Sequence, residues 1–152
     1  MYQREDIIVC HRDCIKTEIV ENMKKKGYYE YENGIYPQRL WVHIGKDLPE
    51  LINAEFDGCN PPNDGYVGVS YDKAIRKRDD RYGILVSFKS NKVMTMRVCC
   101  HEASHACDAI ESGIDMEHGG EPSAYLIGWI ASCINKARLG IGDFVEIKDK
   151  EE

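Results

Sequence analysis

A chain of 152 residues, 30 % of them charged and with a formal net charge of −6, has room for one domain with a sizeable core. The acidic balance argues against a general binder of phosphate backbones. No stretch approaches eighteen consecutive apolar residues, and the opening Met1-Tyr2-Gln3-Arg4-Glu5-Asp6 lacks an apolar signal region, so the expectation is a soluble cytoplasmic protein with no nucleic-acid or membrane partner.

Residues 13–26 read as an amphipathic helix, with Ile15, Ile19 and Met23 on one face and Gly27 to end it. The Lys24-Lys25-Lys26 run then meets the negative end of the helix dipole. Gly34 and Pro37 mark a turn, and Leu40-Trp41-Val42-His43-Ile44 has the β-branched and aromatic content of a strand, with His43 a strand residue and not a ligand. Asp47, Pro49 and Glu50 resemble a capping box that opens a short helix through about Phe56. The stretch 57–65 is turn chemistry throughout and a candidate rim for a cleft.

Tyr66 to Tyr71 and Tyr82 to Lys89 read as strands, joined by a charged segment, 72–81, that is either a helical turn or a long hairpin loop. A helix follows over about 92–112, capped by Ser90 or Asn91 and ended by Gly113. A last helix starts near Glu121-Pro122 and ends near Gly140, with Ala124, Ile127, Ala131, Ile134 and Ala137 or Arg138 as its apolar stripe. The charged tail 148–152 is expected to fray. Seven cysteines with no C-x-x-C pair are expected to be reduced thiols that pack or sit at the surface, Cys10, Cys14, Cys99, Cys100 and Cys107 included.

Chemistry concentrates in His101-Glu102-Ala103-Ser104-His105. Two histidines four apart share one face of a helix, so both imidazoles can reach one ion, and the pattern H-E-x-x-H is the ligand pair and general base of zinc metallopeptidases. Glu102 is expected to take a proton from a zinc-activated water and pass it to the leaving amine, hydrolysing an amide without a covalent intermediate. A catalytic zinc commonly takes three protein ligands. Glu121, at the start of the last helix, is the favoured third, against His118, which precedes Gly119-Gly120, and Glu117. If it is not a ligand, His118 is a candidate donor to the oxyanion, and Tyr125, one turn after Glu121, is another, or else a packing residue. Asp108 either orients an imidazole or is a solvated carboxylate, and Trp129 packs.

On these residues the chain resembles the gluzincin group of zinc metallopeptidases, in which H-E-x-x-H is completed by a glutamate on a following helix. His101, Glu102 and His105 match the first element, and Glu121 in Gly120-Glu121-Pro122-Ser123-Ala124-Tyr125-Leu126-Ile127-Gly128-Trp129 matches the second. The segment is similar to small zincin-like proteins encoded by phages and mobile elements of gut bacteria, with their Glu-x-x-Ala-Tyr run. The resemblance covers roughly residues 82 to 138. It implies an α+β, minimal zincin-like fold over 1–152, one zinc ion, a protein or peptide substrate, and a strand beside the cleft that pairs with an extended peptide, for which Tyr82 to Phe88 is the candidate. The connection from His105 to Glu121 is short for gluzincins, and Tyr125 stands where a carboxylate often follows the ligand. His118-Gly119 also gives a likeness to SprT-like proteases, whose third ligand is a histidine, although no basic extension accompanies it. A zincin-fold protein that holds zinc without turnover is the other reading.

Overall fold

The structure, a computed structural model, describes residues 25–148. Residues Gly27–Val145 form one compact unit; the remaining described residues belong to a separate one. The predicted helix over 13–26, with Cys10 and Cys14, lies outside the described residues except for positions 25 and 26, which are not helical.

The fold is α+β. Strands β1 (Gly27–Tyr31), β2 (Arg39–Ile44), β3 (Phe56–Asp57), β4 (Gly68–Arg76), β5 (Arg81–Phe88) and β6 (Asp143–Glu146) form a mixed sheet in the order β3-β4-β5-β2-β1-β6. Three α-helices accompany it among the described residues: α1 (Leu48–Glu55), α2 (Met96–Gly113) and α3 (Gly120–Arg138). β2 runs parallel to β5, with Trp41 opposite Leu85, while β1–β2, β3–β4 and β4–β5 are antiparallel.

The central pair is apolar on both faces because both are covered. Leu40, Val42, Ile84, Val86 and Phe88 pack with Ala103, Ala106 and Ile110 of α2 and Leu126, Ile130 and Ile134 of α3. On the other side, Trp41 meets Phe56 at the end of α1, with ring centroids 5.1 Å apart. This layering makes α2 and α3 neighbours on one face of the sheet and fixes where the motif helix lies.

Several local expectations change. The segment 72–81 is neither a helical turn nor a long loop: β4 runs on to Arg76, and residues 77–80 turn directly into β5, with Asp80 taking the positive φ of 54°. The capping box at α1 does not form, because Asp47 makes no side-chain cap bond and its Oδ1 pairs instead with His43 Nε2 at 2.9 Å. Residues 91–93 make a single 3₁₀ turn, so α2 begins at Met96 under Thr95, whose Oγ1 accepts from the Val98 N–H at 3.3 Å. On α3 the buried stripe is Leu126, Ile130, Cys133, Ile134 and Ala137, about a quarter turn from the predicted one. Leu126 and Ile130 offer the core far more apolar area than Ala124 and Ala131, and the helix rotates to bury them.

β5 is also not the strand beside the cleft. It is paired on both sides, by β4 and by β2, and has no open edge. Its run Gly83-Ile84-Leu85-Val86-Ser87-Phe88, wholly buried, is the signature of an interior strand. The strand at the cleft is β4.

Candidate metal centre

A cleft of about 490 Å³ opens between β4 and α2, lined by Gly68, Val69, Ser70 and Asp72 from the strand and His101, Glu102, His105, Asp108, Ala109 and Ser112 from the helix. The helical residues come from one face because 101, 105, 108 and 112 follow the 3.6-residue period. The strand residues Gly68, Ser70 and Asp72 follow the period of two.

His101 and His105 are both exposed, and their Nε2 atoms stand 3.0 Å apart. Two nitrogens at 2.0–2.1 Å from a tetrahedral zinc would be separated by about 3.3 Å, a spacing close to that of this pair. Glu102 is different in kind. It is buried, and its Oε2 accepts from the Ser70 hydroxyl at 2.7 Å. Gly68 makes room for it: a Cβ there would lie 3.0 Å from Glu102 Cγ and 3.1 Å from Oε1. A carboxylate clamped by a hydroxyl and a bare stretch of backbone, next to two convergent imidazoles, can serve as a base of fixed orientation.

The proposed third arms lie elsewhere. Glu121 is in the first turn of α3, exposed, and not among the cleft-lining residues. Tyr125 is 76 % exposed and likewise outside the lining. His118 stands at the border, with Nδ1 3.8 Å from Oδ1 of the cleft residue Asp108 and 2.8 Å from Glu111 Oε2. Among the described residues no third histidine, cysteine or carboxylate atom joins His101 and His105 within 4.8 Å. One group of three does lie that close: Cys107, Glu111 and His118.

Glu111 is the centre of that group. Its carboxylate, 2 % exposed, accepts from Cys107 Sγ at 3.1 Å, from Ser123 Oγ at 2.7 Å and from His118 Nδ1 at 2.8 Å. Burial pushes its pKa up, but the hydrogen bonds from Ser123, Cys107 and His118 outweigh this and hold the carboxyl below its ordinary value. The Cys107 thiol is pushed up to about 12, by burial first and then by its bond to Glu111, so it is an inert thiol.

Ser70, Gly68 and Glu111 are the residues that sequence reasoning missed. The signal for the first two was the run of small or polar residues at 68, 70 and 72 in a predicted strand. For Glu111 it was a carboxylate four residues after Cys107, next to the apolar positions of the helix.

Two other features fall outside this centre. The loop 57–65 does not rim it: Asp57, Gly58, Cys59 and Pro61 line a separate hollow of about 290 Å³ beside α1. Ser87, His43 and Asp47 form a hydrogen-bonded line, 2.8 Å and 2.9 Å long at its two links. Ser87 and His43 are buried on the sheet, where no substrate reaches them, and the line ties β5 and β2 to the start of α1.

No protein-family model matches the chain, and no curated protein or solved structure matches it.

Proposed function

We propose that the protein is a zinc-dependent metalloprotease, with His101 and His105 holding one zinc ion, Glu102 acting as general base, and Glu121, which stands outside the cleft in this structure, as the third ligand. The observation that carries this reading is the 3.0 Å convergence of His101 and His105 Nε2 in one cleft with a buried, Ser70-held Glu102. Zinc bound there would supply Lewis acidity, bringing the pKa of a water to roughly 7 and polarising a scissile carbonyl. Glu102 takes the proton of the attacking water and returns it to the leaving amine. Ser70 keeps the carboxylate turned into the cleft.

The edge of β4 supports a protein or peptide substrate. Among the described residues no strand pairs with Gly68–Asp72 on the side away from β5, because β3 meets β4 only at Ile75 and Arg76. An extended protein or peptide segment can add its backbone to that edge. Cytoplasmic residence fits the free thiols of Cys59, Cys99, Cys100, Cys107 and Cys133. No helix among the described residues is long and apolar enough to cross a membrane.

A second reading makes His118 the third ligand. It is favoured by the bond from His118 Nδ1 to Glu111, since ligating histidines commonly donate their other ring nitrogen to a carboxylate. Zinc content and proteolysis of unfolded substrates, measured for the wild type and Glu102→Gln, test the function. Bound zinc in both and cleavage by the wild type alone are expected. No bound zinc, even after reconstitution, refutes the metal centre. Bound zinc with both proteins equally inert leaves a zinc-holding protein without turnover.

A further inference from the structure

We propose that Glu111 is the positioning residue of this centre: its one buried carboxylate clamps the α2–α3 connection and so presets the third arm of the ion site. The inference rests on the zinc reading of the cleft. Its basis is the origin of the partners. Cys107 is one turn back on the same helix, Ser123 belongs to α3, and His118 belongs to the segment between the helices. The Ser123 hydroxyl that donates to Glu111 itself accepts from the Gly119 N–H at 2.8 Å. Gly119, with φ of 132°, is the residue at which the chain enters α3. The bonds therefore tie the segment's last two residues to Glu111, His118 directly and Gly119 through Ser123, just ahead of Glu121.

A buried carboxylate is a costly way to join two helices, since apolar residues of similar volume usually do so at least as well. What an apolar residue cannot do is orient an imidazole. His118 is 59 % exposed on its side chain and is held at Nδ1. Because a carboxylate only accepts, Nδ1 is the donor, and in the neutral ring Nε2 carries the lone pair. One group thus sets both the tautomer of His118 and the entry of the helix that carries Glu121, and whichever of these residues completes the ion site depends on it.

The test is the zinc affinity of the full chain, by competition with a chromophoric chelator, for the wild type and Glu111→Gln, which keeps the shape and removes the charge. The affinity is expected to fall about 10- to 100-fold. In parallel, the ring-nitrogen NMR shifts of His118 are expected to change from a single Nδ1–H tautomer to a mixture, which a merely structural role would not cause. Folded Glu111→Gln with wild-type zinc affinity, or with unchanged His118 shifts, overturns the proposal and leaves the zinc reading standing. A wild type that binds no zinc overturns both. If Glu111→Gln does not fold, Ser123→Ala cuts the α3 arm together with the Gly119 N–H bond and leaves the His118 bond in place: weaker zinc binding with the His118 signature intact supports the clamp, and unchanged affinity overturns it. A thiolate-to-cobalt absorption band in the cobalt form, lost in Cys107→Ser, also overturns it, because Cys107 and Glu111 would then be ligands themselves.

Discussion

On the proposed reading, Gly68→Ala is expected to perturb the base, Glu102, and leave the two histidine ligands in place. The backbone at 68 is not in the left-handed region, so alanine is conformationally free to sit there. Its Cβ would meet Glu102 Cγ at 3.0 Å, Oε1 at 3.1 Å and Cδ at 3.3 Å. Opening the nearest of these to an ordinary contact of 3.4 Å moves the carboxylate by about 0.4 Å. If a misplacement of 1 Å costs about 10²-fold in rate, a shift of this size costs about 6-fold. Stability moves little, because replacing a strand glycine gains roughly 0.5–1 kcal/mol and the displaced side chain gives much of that back. The assay is kcat on an unfolded protein substrate at matched zinc content, with a thermal melt beside it. The expected result is a several-fold drop in kcat, full zinc occupancy and a melting temperature within about 4 °C of wild type. Unchanged kcat would show that Glu102 does not work from this position. Loss of zinc would show that Gly68 supports the ligands and not the base.

Ser70→Ala removes the hydroxyl that donates to Glu102. A hydrogen bond to a charged group is worth about 1.5–3 kcal/mol, so kcat is expected to fall while zinc titrations match the wild type. Ile130→Ala, at a wholly buried position of the core, is expected to cost about 2–5 kcal/mol, read as a lower urea midpoint. The Asp79 carboxyl is held down to about 2 from an ordinary 3.8, first by its hydrogen bonds to Arg76. A depressed carboxyl stabilises the fold above its unfolded pKa and loses that contribution as pH falls through the folded value. Asp79→Asn is therefore expected to lower the urea midpoint at neutral pH, with the gap to wild type closing between pH 3.8 and about 2; a gap independent of pH refutes the pairing.

What could be read in advance follows the range of the interactions involved. The spacing of His101 and His105 is a property of one helix, and the run Gly83–Phe88 has the composition of a strand, so the motif helix and the existence of that strand were legible, while its place inside the sheet, set by pairing with β2 and β4, was not. The start of α2 was not, since Ser90, Asn91 and Thr95 are all good caps and only the intervening 3₁₀ turn decides between them. The stripe on α3 was misplaced because small alanines and large aliphatics share that helix, and the partner surface chooses the larger. β6 went unseen, as a short strand next to β1 with little pattern of its own. The pairing of Ser70 with Glu102 spans 32 positions, and although the small and polar run at 68, 70 and 72 marks the strand face, nothing in either segment names the partner. Glu111 is a mixed case: Cys107 lies one turn away on the same helix, but Ser123 becomes a neighbour only when α3 docks.

The Ser70–Glu102 bond has a consequence for the order of assembly. The imidazole pair needs only the turns of α2, and a helix forms in about a microsecond or less. The support of Glu102 needs β4 in the sheet, and the parallel β2–β5 pairing inside that sheet joins residues 44 positions apart, such as Trp41 and Leu85. Contacts of such separation close slowly. On the proposed zinc reading, the two-histidine grip is therefore expected to form before the base is seated, and an ion captured early would wait in a centre that cannot yet use it. The closing of the sheet would then be the step that completes the site.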